Sequence, residues 1–203
     1  VTVRRDANSR FAKENRSGVF PAFSLAWRPT QENFFPKNKI LTDLKLRYSW
    51  GQNGNANIPA LYPAYTTYIY NTGNGAYDLS GTGDKTNAGI TLSATGNPDL
   101  KWETTSQHNV GIDLALFEGS LTLSADYYIK RTKDMLTIPP ALAVAGENAS
   151  IWLNTGEMEN KGWEVTLGYR SPRYGDFSWN ASLNLSQYKN KLITLNSRQK
   201  YIG

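Results

Sequence analysis

The sequence predicts an all-β fold: a sector of a large antiparallel transmembrane β-barrel, with about seven strands present. Three observations predict it. First, apolar and polar residues alternate with period two through several segments, as in strands with one face in an apolar medium and the other in water. Second, the connecting segments sort by length. Those at 6–17, 51–97 and 133–154 are long, the one at 29–42 is medium, and those at 117–120 and 171–176 are short. Antiparallel pairing of consecutive strands would gather the long segments at one end and the shorter ones at the other, as in outer-membrane barrels. Third, aromatic residues sit near strand ends on the apolar faces at two levels, as membrane-interface girdles require.

Strands are expected over 1–5, 18–28, 43–50, 100–116, 120–132, 155–170 and 176–188. In 18–28, Val19, Pro21, Phe23, Leu25 and Trp27 share a face. In 44–50, Leu44, Leu46, Tyr48 and Trp50 oppose Lys45, Arg47 and Ser49. In 121–130, Leu121, Leu123, Ala125, Tyr127 and Ile129 oppose Thr122, Ser124, Asp126, Tyr128 and Lys130. In 162–170, Trp163, Val165, Leu167 and Tyr169 oppose Glu164, Thr166 and Arg170. In 177–186, Phe177, Trp179, Ala181, Leu183 and Leu185 alternate with Ser and Asn.

The segment 100–116 is too long for a membrane crossing, which needs about 9–11 tilted residues. Its alternating half, from His108 to Leu116, is expected to cross the lipid. Its polar half, from Leu100 to Gln107, is expected to stand in water as an extension of the sheet. The loop 51–97 exceeds the roughly 15 residues that compact domains tolerate without structure of their own, so it is expected to carry local structure.

The alternation alone leaves two environments open. A soluble β-sandwich packs its apolar faces together, whereas a transmembrane barrel turns them to lipid. The sorted loops, the wholly polar second faces and the two aromatic levels favour the barrel. Trp27, Phe117, Tyr169, Phe177 and Trp179 form the expected short-turn level. Trp50, Trp102, Tyr127 and Trp163 form the expected long-loop level. An open wall of seven strands leaves two unpaired edges, which lipid does not tolerate. The chain, which opens within a strand and lacks an initiating Met, is therefore expected to be a piece of a longer protein.

Composition narrows the chemistry. No apolar run approaches the roughly 18 residues of a spanning helix, and mean hydropathy is −0.52. The net charge of +5 is spread along the chain, so no nucleic-acid partner is expected. There is no Cys and only one His, His108, so the usual zinc sites have no ligand set, and no cofactor or metal is expected. No nucleophile elbow, phosphate loop or calcium loop appears, so no catalytic residue is assigned and enzymatic activity is not expected. The Gly-rich stretch 81–89 fits no phosphate fingerprint. Four sequons begin at Asn15, Asn148, Asn180 and Asn184; the last two fall in a predicted strand, which makes them chance matches. Lys45, Arg47, Glu103, Asp113, Asp126, Lys130 and Glu164 are the candidate lumen-facing charges. Tyr62, Tyr65, Tyr68, Tyr70 and Tyr77 are expected to pack within the loops, with stacking on sugar rings as the alternative.

Six blocks carry a resemblance: RRDANSRF, GVFPAFSLAWR, LKLRYSWGQNGN, NPDLKWETTSQHNVGIDLALF, DYYIKRTKDML and NTGEMENKGWEVTL. In this order they resemble the SusC/RagA-like TonB-linked (TonB-dependent) outer-membrane transporters of Bacteroidetes, over nearly the whole chain. The resemblance implies a barrel of 22 strands in the full-length family, with residues 1–203 in its C-terminal half. The plug domain, the TonB box and the barrel ends are expected outside this chain. It also implies import of large nutrients, glycans or oligosaccharides foremost and peptides next, across the Gram-negative outer membrane. The implied partners are a SusD-like surface lipoprotein and the TonB complex, reached through N-terminal parts. Uptake of a chelated metal or cobalamin is the alternative cargo, and a soluble carbohydrate-binding sandwich the alternative fold. Within the block MENKGWE, Gly162 is expected to allow a bulge or a close approach before Trp163 enters the membrane.

Overall fold

The computed structural model describes residues 1–36, 38–71, 73, 76–79, 81, 87–139, 151–172 and 176–194. The sequon at Asn148 and most of the Gly-rich stretch 81–89 lie outside them. The strands are β1 (Thr2–Ala7), β2 (Ser17–Trp27), β3 (Leu41–Asn55), β4 (Thr67–Asn71), β5 (Gly89–Ala94), β6 (Glu103–Leu116), β7 (Leu121–Lys133), β8 (Leu136–Thr137), β9 (Leu153–Asn154), β10 (Glu157–Arg170) and β11 (Asn180–Thr194). Seven of them form one sheet in the order β1-β2-β3-β6-β7-β10-β11, every pair antiparallel. This chain-order meander places the β1–β2, β3–β6 and β7–β10 connections at one end and the β2–β3, β6–β7 and β10–β11 connections at the other; the sorting by length holds except that the β2–β3 connection, 28–40, is longer than the β1–β2 connection, 8–16.

The register sorts side chains into two faces, because residues directly opposite across an antiparallel pair share a face. One row of the apolar face runs Leu25, Tyr48, Val110, Tyr127 and Trp163. The rows nearer the short turns run Trp27, Leu46, Ile112, Ala125, Val165 and Leu185, then Leu44, Leu114, Leu123, Leu167 and Leu183. The last joins Leu41, Leu116, Leu121, Tyr169 and Ala181. From Leu116 to His108, at two residues per row and a tilt of about 40°, the belt rises about 20 Å, near the height of the lipid band of such barrels.

No second sheet lies over this face among the described residues: Leu25 is 67% exposed and Val110 55%. A sandwich would bury both under a second sheet, so the sandwich alternative is overturned. The fully buried hydrophobic residues lie elsewhere, in the long connections. Phe11, Ile58 and Leu100 form a small core with Trp102, Trp152, Leu136, Ala56 and Ala60 around it.

Several boundaries differ from the sequence expectation. β3 runs on to Asn55, five residues past Trp50, and pairs Gly51–Asn55 with Gln107–Glu103. The expected extension of the sheet into water therefore exists, but its partner, GQNGN, reads as loop. β6 starts at Glu103 rather than Leu100, because Leu100 leaves the sheet for the small core. β11 spans Asn180–Thr194 instead of 176–188. The long connection after β3 holds a separate hairpin, β4–β5, with Tyr68 opposite Leu92 and Tyr70 opposite Ile90. No bulge occurs at Gly162. The ladder is continuous through Tyr128, Gly162 and Tyr188, and the register shift in β10 lies between Glu157 and Met158. Gly162 serves close approach instead, since a Cβ there would lie 2.9 Å from the Tyr128 hydroxyl and 2.6 Å from the Gln187 carbonyl oxygen.

Candidate functional site: the polar face of the sheet

All seven candidate charged residues fall on the face opposite the apolar belt. Lys45 lies across from Asp113, Glu103 across from Asn55, Lys130 across from Gln107, and Glu164 across from Asp126. Arg47 lies across from Gly111, which lies in turn across from Asp126. Alternation on four adjacent strands, β3, β6, β7 and β10, brings these groups together.

The centre of the face is an ion-pair network over three strands. Arg47 Nε donates to Asp113 Oδ2 at 2.8 Å and Arg47 Nη2 to Asp113 Oδ1 at 2.9 Å, a bidentate fork. The same Nη2 reaches Asp126 Oδ2 on β7 at 2.9 Å. Ser124 Oγ donates to Asp113 Oδ1 at 2.8 Å. Arg47 and Asp126 are two strands apart, and the bond forms because the residue between them is glycine. A Cβ on Gly111 would lie 2.5 Å from Asp126 Oδ1 and 2.8 Å from Arg47 Cζ. Sequence reasoning found the charges but not Gly111, because the row is defined by register, which one strand does not reveal.

Toward the long-loop end the same face forms a recess of about 810 Å³, lined by Arg47, Gln107, Asp126, Tyr128, Asn160 and Glu164 among others. Asn109 Oδ1 and Asp126 Oδ1 accept no hydrogen bond from the described residues. Thr105 and Thr132 hydroxyls pair at 3.0 Å, and Asn55 Nδ2 donates to Glu103 Oε1 at 3.2 Å. The wall is thus a lattice of charges, amides and hydroxyls. It suits contact with water and hydrogen-bonding solutes rather than bond-making chemistry.

The candidate girdle residues divide. Trp27, Trp50, Trp163 and Tyr169 lie on the apolar face. Trp179 precedes β11 and packs against Tyr169 with ring centroids 4.9 Å apart and the planes tilted by 50°. Trp102 departs from the expectation. It leaves the belt, packs against Phe11 and Phe20 at 5.5 Å each, and donates its indole N–H to the Arg16 carbonyl. Strand parity does not apply to it because β6 begins one residue later. The residues that sequence reasoning missed are Phe11, Ile58 and Leu100, whose signal is isolated apolar side chains in polar connections.

Around that core the long connections are tied together. Asn154 accepts from the Lys101 backbone N–H and donates to the Lys101 carbonyl, both at 2.8 Å, and also donates to Asp134. Asn97 Nδ2 donates to the Trp152 carbonyl, and Arg10 Nη1 to that of Ile58. Tyr62, Tyr65, Tyr68, Tyr70 and Tyr77 do not pack as expected; all five are exposed.

The family model for the TonB dependent receptor-like β-barrel matches residues 1–201. The chain belongs to this family. It is 37% identical over 194 residues to TonB-dependent receptor P3 of Formosa agariphila, covering 96% of the chain. It is 33% identical to TonB-dependent receptor SusC of Bacteroides thetaiotaomicron, again over 96% of the chain. It spans 18% and 19% of those receptors' own lengths. Among solved structures it matches the RagAB peptide importer in its closed-closed state with a TM-score of 0.80 and 30% identity, covering 95% of this chain and 20% of that one. In the open-open state the TM-score is 0.83. The seven-stranded sheet is therefore outer-membrane β-barrel wall of the SusC/RagA type.

Proposed function

We propose that this chain forms part of the wall of a TonB-driven outer-membrane importer of large nutrients, with oligosaccharides as the first cargo class. The polar face carries the reading. A surface of paired charges, amides and hydroxyls beside an 810 Å³ recess offers hydrogen bonds to a hydrated polymer without holding any one group rigidly. The five exposed tyrosines at the long-loop end supply flat rings of the kind on which sugars stack. In this reading Lys45, Arg47, Glu103, Asp113, Asp126, Lys130 and Glu164 line the lumen, and Trp27, Trp50, Trp163, Tyr169 and Trp179 mark the interfaces. A SusD-like surface lipoprotein covers the long-loop end, and TonB supplies the energy through parts of the protein beyond this segment.

Peptides are the second reading, favoured by the likeness to the RagAB peptide importer. A single experiment separates the two. Cells with and without the full-length receptor are offered isotope-labelled oligosaccharide and peptide mixtures, and depletion is followed by mass spectrometry. Receptor-dependent and TonB-dependent loss of oligosaccharides supports the first reading. Loss of peptides alone moves the assignment to the second, and loss of neither refutes both.

A further inference from the structure

The outer face of the sheet changes character above the lipid belt. Toward the long loops the continuous apolar run of this face ends at Trp50 on β3, Ile129 on β7, Trp163 on β10 and Leu185 on β11, with Ile193 the next apolar residue of that parity on β11. Continuing along the same face, β7 carries Arg131 and Lys133, β10 carries Lys161, Glu159 and Glu157, and β11 carries Lys189 and Lys191. Lys161 lies directly across from Lys189, and Glu159 across from Lys191. Five cations thus share this strip with two carboxylates.

The two signs are not equally placed. Side chains of Lys133, Lys161 and Arg131 are 61%, 48% and 46% exposed, whereas those of Glu157 and Glu159 are 19% and 25% exposed. Glu157 is ion-paired with Arg131 and stands 4.0 Å from Lys133; Glu159 stands 4.0 Å from Lys161. The carboxylates lie low and the cations project outward, with Lys189 and Lys191 in no ion pair among the described residues. Beside the strip is a groove of about 480 Å³. Trp50 and Ile129 line it at the level of the belt, and Arg131, Lys133, His108 and the carboxylate of Glu159 line it too. A groove with an apolar floor and two cations to one carboxylate fits a lipid whose head group carries phosphate.

We propose that this strip is a phosphate-binding site for phosphorylated glycolipid of the outer leaflet, of the lipid A class. Charge complementarity and height choose the occupant. The rows are two residues apart, so the strip covers about 10 Å along the membrane normal from the top of the belt, the depth of a head-group layer. The long-loop end is the extracellular end of such barrels, so the layer is the outer leaflet. The inference rests on the apolar face meeting lipid, and folding is monitored separately so that failure of that premise is seen as such.

The test uses the full-length receptor in detergent, its folding checked by heat-modifiable migration on gels. Binding is titrated with fluorescent lipid A carrying its phosphates and with the same lipid A after phosphatase treatment. The expected result is tighter binding of the phosphorylated form. The triple variant K161Q/K189Q/K191Q should lose about tenfold or more of that preference at low salt, with a weaker salt dependence. The charge-conserving triple K161R/K189R/K191R should retain it, and E157Q/E159Q should strengthen it, so the proposal stays testable if the glutamine triple misfolds. Equal binding of the two lipid forms by the unmodified receptor would overturn the proposal. So would an unchanged preference in the folded glutamine triple, or displacement of the lipid by inorganic phosphate at equal concentration.

Discussion

Replacing Gly111 with alanine inverts a familiar expectation. In a strand interior glycine is the weaker residue, and alanine at an open site adds roughly 0.5–1 kcal/mol of stability. At this position the new Cβ would lie 2.5 Å from Asp126 Oδ1 and 2.8 Å from Arg47 Nη2. One of the two side chains must withdraw, and the 2.9 Å bond between them is lost. A hydrogen bond between charged groups contributes about 1.5–3 kcal/mol. Here the figure is discounted, because Arg47 and Asp126 side chains are 31% and 21% exposed and water screens the pair. The expected net effect of Gly111→Ala is destabilisation by about 1–2 kcal/mol, opposite in sign to the intrinsic propensity. The assay is urea unfolding of the full-length barrel in lipid vesicles, run as a double-mutant cycle with Asp126→Asn, a neutral residue of the same shape. The cost of Gly111→Ala should shrink by about half or more in the Asp126→Asn background, because the contact it disrupts is already weakened. Additive effects, within roughly 0.5 kcal/mol, would refute the claim that glycine is required here by the Arg47–Asp126 pair.

Three further substitutions probe other parts of the account. Leu100→Ala should cost about 2–5 kcal/mol in the small core and open the long connections to limited proteolysis while leaving the barrel heat-modifiable; equal protease resistance would show that the core does not hold them. Gly162→Val should slow or block assembly, because its side chain meets the Tyr128 hydroxyl and the β11 backbone; normal assembly yield in vesicles would count against that reading. Val110→Arg, in the middle of the apolar belt, should cost about 2–4 kcal/mol in lipid, whereas arginine at the neighbouring Asn109 should cost far less. The comparison is made by unfolding in vesicles.

What the sequence reveals follows from what each residue touches. Where one face is apolar and the other polar, as from His108 to Leu116, alternation is strong and strand and facing are legible. Beyond the apolar belt both faces are polar, the contrast vanishes, and Gly51–Asn55 reads as loop although it pairs along its whole length with β6. The same loss of contrast hides the upper end of β11, where Lys189, Asn190 and Lys191 carry no period. Phe11, Ile58 and Leu100 come from connections far apart in sequence, so no local pattern announces that they meet. Trp102 shows the danger of extending parity past a strand end. The charged lining was legible residue by residue, since Arg47, Asp113 and Asp126 each stand opposite an apolar stripe. Their joining through Gly111 was not, because it depends on the relative shift of three strands.

The central claim is that the sheet separates lipid from water, with odd and even residues of β6 on opposite sides. The most direct test introduces single cysteines one at a time from Gln107 to Leu116 in the full-length protein, aided by the absence of native cysteine in this segment. Each is spin-labelled in vesicles, and relaxation by oxygen, which partitions into lipid, is compared with relaxation by a water-soluble nickel chelate. The account predicts alternation with period two: oxygen-dominated at Val110, Ile112 and Leu114, nickel-dominated at Asn109, Gly111 and Asp113, and fading toward Gln107. Nickel access on both sides throughout, or alternation of the opposite phase, would contradict it.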